Sequence, residues 1–193
     1  MSARADLPVV CFHGDTRVAE GPLDAAMPRV REAILKGRAP PVVFDLATGK
    51  VVDLDLRGSL ADALARLEPP PSPEKRGPGR PKLGVTPREV TLLPRHWDWL
   101  AAQPGGASVA LRKLVEGALK EAEGPDRARR AKDATYRLMT ALAGDRSGYE
   151  EATRMLFAGD WTAFDAAVEG WPADVREAVR AMAEAGWRNG EGR

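Results

Sequence analysis

KRGPGRPKLGVTPREVTLLPR, residues 75–95, is the stretch that decides how the chain divides. Before it, short apolar runs alternate with turn residues. After it, no strand pattern recurs and apolar positions fall at helical spacing. Its first half is too rich in glycine, proline and cations to pack. Its second half, REVTLLP, is β-prone and runs into a proline suited to the first position of a helix. Six bases (Lys75, Arg76, Arg80, Lys82, Arg88 and Arg95) stand against the single acid Glu89, a local charge of +5 in a chain whose total is +1.

The small total conceals an uneven distribution. Residues 1–74 carry 9 bases and 11 acids, residues 75–132 carry 13 and 6, and residues 133–193 carry 7 and 11, so the balance runs −2, +7, −4. A basic centre between mildly acidic ends implies one surface that faces a polyanion. Counterion release makes such binding steeply salt-dependent.

Working back from this segment, Glu68-Pro69-Pro70-Pro71-Ser72-Pro73-Glu74 reads as an extended polyproline spacer. Earlier, Pro8 to His13 and Thr16 to Ala19 flank the turn dipeptide Gly14-Asp15, which predicts a hairpin stopped at Gly21-Pro22. Leu23, Met27, Val30, Ile34 and Leu35 predict an amphipathic helix over 23–36 despite Pro28. Val42 to Leu46 and Lys50 to Leu56 surround Ala47-Thr48-Gly49, a second hairpin with Val52, Leu54 and Leu56 inward and Asp53 and Asp55 outward. Leu60 to Leu67 reads as a short helix. The expected N-terminal unit is therefore ββαββ.

Working forward, Pro94, Trp97, Leu100 and Ala101 predict a short helix ended by Pro104-Gly105-Gly106. Ser108 is a natural N-cap for a second helix, whose stripe of Leu111, Leu114, Val115, Ala118 and Leu119 runs to a break at Gly124-Pro125. Residues 130–187 read as three or four helices with breaks at Gly144, Gly159 and Gly170. Trp161, Phe164, Val168 and Trp171 form an apolar face there, read as core. The fold class is α+β in four segments: a small α+β domain at 1–67, a Pro-rich basic linker at 68–85, a strand-helix-helix segment at 86–124 and a helical bundle at 125–193.

With 193 residues, 44% of them hydrophobic, the chain can bury a real core. No apolar run approaches the roughly 20 residues of a membrane span, and MSARADLP lacks an apolar signal core. The single cysteine, Cys11, excludes an intrachain disulfide framework and fits a reducing compartment. A cytoplasmic, nucleoid location is the expectation, without a membrane partner.

Gly79-Arg80-Pro81-Lys82 resembles an AT-hook, a short extended peptide that lies in the minor groove of A·T-rich DNA. Glycine lets the backbone approach the groove floor, proline keeps the peptide extended, and the cation sits in the enhanced negative potential of a narrow groove. The guanine amine blocks such an approach. Pro78 stands where the motif has an arginine before its core glycine, and Arg76 is the nearest substitute. A solvated basic tether is the other reading of these residues.

REVTLLP followed by GGASVALRKLVEGAL, within Arg88 to Glu121, resembles the ribbon-helix-helix family of bacterial DNA-binding proteins. The resemblance implies that two chains pair their strands into a ribbon for the major groove while their helices interlock as a dimer core. It implies groove-facing residues from either Arg88, Val90 and Leu92 or Glu89, Thr91 and Leu93. Hydrophobic logic favours burying Val90 and Leu92 and exposing Thr91. The first amides of the second helix, near Ala107 and Ser108, are implied as a phosphate clamp. A helix-turn-helix over 95–122 ranks lower, because its recognition helix would be mostly apolar. A dimerising hairpin without DNA contact is the remaining alternative.

The order of FHGDTRVAEG, VVFDLATGKVVDLDLRGS and the 79–116 stretch also resembles an uncharacterised bacterial protein family, across nearly the full length. That resemblance carries no activity to transfer.

Catalysis is not expected. Cys11 and His13 share a strand face, but Cys-x-His without further spaced ligands is weak support for zinc. The phosphate-loop, nucleophile-elbow and His-Glu-x-x-His motifs do not occur. No cofactor or metal is expected. The expected function is a homodimeric DNA-binding protein on A·T-rich duplex, a transcription regulator or nucleoid-associated protein, contacting DNA through Lys75, Arg76, Gly79, Arg80, Pro81, Lys82, Arg88, Thr91, Arg95 and Ser108. The alternative is a protein-interaction adaptor or antitoxin-like regulator, binding a protein partner through its terminal domains, with the basic segment as tether.

Overall fold

The computed structural model describes residues 4–36, 39–67 and 86–187. The linker at 68–85, with Lys75, Arg76, Gly79, Arg80, Pro81 and Lys82, lies outside the described residues. The chain forms two compact units, one from Met1–Pro70 with Gly124–Arg193 and the other from Pro71–Glu123.

The first unit is mixed α+β. After a 3-10 turn at Arg4–Asp6, β1 (Pro8–His13) and β2 (Thr16–Pro22) form the expected hairpin, with Gly14 at φ +57 in its turn. Helix α1 (Leu23–Leu35) follows and buries Leu23, Met27 and Val30 as its spacing predicts. Strand β3 (Val42–Asp45) returns antiparallel to β1, giving the order β2-β1-β3.

The expected fourth strand is not a strand. Among the described residues the sheet has three strands, and Val51 contributes one isolated bridge to Phe44, reinforced by the Val52 amide donating to the Val43 carbonyl at 2.7 Å. Continued in that register, Leu54 and Asp55 would oppose Pro41 and Pro40, which have no N–H to give a ladder. The predicted alternation survives nonetheless: Val52, Leu54 and Leu56 pack toward the core while Asp53 and Asp55 are exposed. Helix α2 (Leu60–Ala65) is fixed by a capping box, the Ser59 hydroxyl accepting from the Asp62 amide and the Asp62 carboxylate accepting from the Ser59 amide.

Strand β1 has no wet face. Val9 and Cys11 pack with Leu23, Met27 and Val30 of α1, whereas Val10 and Phe12 pack with Phe44 and the C-terminal helices. Those helices are the later part of α4 (Gly106–Ala143), α5 (Tyr149–Ala158), α6 (Trp161–Val168) and α7 (Ala173–Trp187). Leu138, Leu156, Phe164, Val168, Trp171 and Val175 fill this second core, as the aromatic face predicts. Segments 1–67 and 125–187 thus share apolar interior. Arg17 fastens them at the surface: its amide donates to Asp174 at 2.8 Å and its guanidinium pairs with Glu177 at 3.0 Å.

Two helix boundaries differ from expectation. Helix α4 passes through Gly124-Pro125 without a break. Pro125 withholds one hydrogen bond from the Glu121 carbonyl, but strong helix formers on both sides sustain the helix, and Glu121 is exposed to water. The helix also starts at Gly106 and not after Ser108, because Gly105 (φ +87) and Gly106 (φ +75) complete the reversal that the cap was expected to make.

Candidate nucleic-acid and association surface

In the second unit, residues 86–93 are exposed or half-exposed and lead into α3 (Pro94–Ala101). Leu93 is extended (φ −67, ψ 151), and Pro94 takes the first helical position as expected. Residues 88–93 form no strand. A ribbon strand obtains its ladder bonds from a second chain, and a single copy supplies none. Thr91 is exposed; Val90, expected to be buried, is 53% exposed, and Leu92 is partly buried.

The turn after α3 is tight, the Gly106 amide donating to the Gln103 carbonyl at 2.9 Å. Ala107 and Ser108 therefore lie in the first turn of α4, where amides lack helical acceptors. Ser108 is exposed, and its carbonyl accepts from Arg112 Nε at 3.1 Å.

The hydrophobic stripe is present, but little covers it among the described residues. Within residues 86–123 only Leu100 and Ala110 are buried. Trp97, Trp99, Leu114, Val115 and Leu119 remain 41–63% exposed. Leu92, Trp99, Leu100, Leu111 and Leu114, with Arg95 and His96 at the edge, surround an apolar cavity of about 450 Å³. Exposed apolar patches of this kind occur at interaction surfaces, in ligand grooves and on aggregation-prone faces.

Arg88 and Arg95 are exposed and form no ion pair among the described residues. Residues 86–123 nevertheless hold five bases and five acids, so these helices are neutral overall. The positive balance of the centre comes from the segment before them and from Arg127, Arg129, Arg130 and Lys132 of α4, in the first unit. That second basic run was missed as a feature in its own right, although four cations in six residues is a legible signal. Arg129 pairs with Asp126 at 2.9 Å, and Lys132 Nζ donates to the Phe157 carbonyl at 3.3 Å, close to the end of α5.

Cys11 is fully buried, and burial pushes its thiol up to about 11, away from nucleophilic use. His13 ends β1, and His96 belongs to the second unit. Asp55 is engaged by Arg57 at 2.7 Å, and those hydrogen bonds hold its carboxyl well below the usual range. Among the described residues, no three His, Cys, Asp or Glu side chains gather as a metal site. No described helix is long and apolar enough to cross a membrane.

A family model described as an uncharacterized protein conserved in bacteria (DUF2239) matches residues 8–183. No curated protein and no solved structure matches the chain.

Proposed function

Because the chain belongs to this bacterial family across residues 8–183, we propose that its sheet, basic centre and helices act together as a homodimeric DNA-binding protein, a transcription regulator or nucleoid-associated protein. The observation that carries this reading is the exposed apolar face of α3 and the start of α4, next in sequence to the +5 segment at 75–95. A second copy would supply both a cover for that face and a pairing partner for the segment at 88–93, as in the ribbon-helix-helix arrangement. Lys75, Arg76, Arg80 and Lys82, with Gly79 and Pro81 shaping the backbone, form the minor-groove arm. Arg88, Arg95, Thr91 and the Ser108 turn contact the duplex beyond it.

Neutrality of residues 86–123 supports a second reading, in which the helices bind a protein and the basic segment is a tether. Deleting residues 75–85 separates the two. In the DNA reading, fluorescence anisotropy with an A·T-rich duplex shows binding weakened at least tenfold by the deletion. Undiminished binding moves the activity to the helices, and no binding by either form favours the tether.

A further inference from the structure

A cavity of about 640 Å³ lies wholly within the first unit, among the sheet, the segment of α4 that follows Pro125, and α7. Val10, Ala178 and Met182 are buried at its floor, and Leu46 and Ala131 add apolar wall. The four polar side chains on its lining are all engaged with the protein itself. Glu20 is held by Arg17 at 2.7 Å. The Thr48 hydroxyl donates to the Asp45 carboxylate at 2.6 Å, and the Thr48 carbonyl accepts from Arg137 of α4 at 2.8 Å. Arg130 turns its Nε to the Asp126 carbonyl at 3.2 Å, and Arg127 likewise has a partner within the chain. Both arginines are exposed, so their charged heads stay in water while their stems border the space.

We propose that this cavity is a binding site for a small neutral apolar molecule, held against Val10, Leu46, Ala178 and Met182 with no ion pair to the protein. The volume falls within the range of small-molecule sites, which are mostly apolar. A charged ligand gains little here, because it loses its hydration and has to compete for groups that already have partners. A neutral apolar body gives up no such bonds, and its gain grows with the apolar area it removes from water. The alanines at 131 and 178 present only methyl groups to the space, which leaves room for a guest that longer side chains would fill. The site stands independently of DNA binding.

Titration of the full chain, labelled with [methyl-¹³C]methionine, with 1-octanol tests it by nuclear magnetic resonance. The Met182 methyl signal, identified by its loss in Met182→Leu, is expected to shift saturably as one octanol binds. Octanoate at pH 8 is expected to shift the same signal with at least about tenfold weaker affinity. Ala181→Trp, which fills the mouth from an exposed lining position, is expected to abolish the response. Absence of a saturable Met182 shift overturns the proposal, including the case in which octanol binds only in the apolar cavity of the second unit. Octanoate binding as tightly as octanol also overturns it, since that reveals a charged site. So does an undiminished Met182 response in folded Ala181→Trp. Should that variant fail to fold, Ala47→Trp, at the exposed lining position on the β3 turn, takes its place with the same expectation.

Discussion

Gly49 lies so close to Ala134 that a β-carbon at position 49 would stand 2.0 Å from the Ala134 carbonyl oxygen. The turn after β3 thus rests directly on the backbone of α4. Asp45 shapes that turn, accepting from the Ala47 amide at 2.8 Å and the Thr48 hydroxyl at 2.6 Å, while Gly49 takes φ +66.

Gly49→Ala is expected to destabilise the protein by about 2–4 kcal/mol, combining the left-handed conformation with overpacking. Gly14→Ala, also at positive φ but facing open space, is expected to cost only about 1–2 kcal/mol. Urea unfolding of both variants checks the difference, and equal losses would show that contact with α4 adds nothing.

Asp174→Ala removes the acceptor of the Arg17 amide, which ties β2 to the start of α7. A loss of about 1–2 kcal/mol is expected, since the amide is partly buried. Asp174→Asn, which keeps an acceptor oxygen, is expected to recover part of it. The midpoints of thermal unfolding measure both.

Cys11 is expected to resist a thiol reagent such as 5,5′-dithiobis(2-nitrobenzoate) in the folded protein at pH 8 and to react fully in guanidinium. Its folded pKa of about 11 lies above the roughly 8.5 of an exposed thiol. The neutral thiol is therefore compatible with the fold below about pH 8.5, and stability is lost as pH rises from there through 11. Rapid labelling of the native protein would contradict the burial of β1 on both faces.

Leu114→Glu and Leu119→Glu place charges on the exposed face of α4. Each is expected to shift the species seen by light scattering from dimer to monomer while leaving the helical circular dichroism of the chain intact. A monomeric wild type would remove the ribbon from the account.

Local features of the fold were legible in the sequence because they depend on neighbouring residues. The Gly14-Asp15 hairpin, α1 with its Pro28, the Pro94 helix entry and the breaks at Gly144 and Gly159 all follow from turn chemistry and periodicity. The failures depend on distant partners. Val52 to Leu56 alternates like a strand, but the prolines that deny its later residues a ladder lie across the turn at 40 and 41. Val9 to Phe12 looks like half of a small sheet, yet its second face belongs to helices more than a hundred residues later. The basic segment itself was legible as charge, while its hook residues lie outside the described chain.

The most direct measurement is a salt titration of binding to an A·T-rich duplex, by fluorescence anisotropy, for the wild type and Arg80→Ala. The account predicts affinity that falls steeply and log-linearly with salt, at least a tenfold weaker complex for Arg80→Ala at low salt, and a shallower slope for that variant. Absence of binding at low salt, or identical curves for the two proteins, would contradict it.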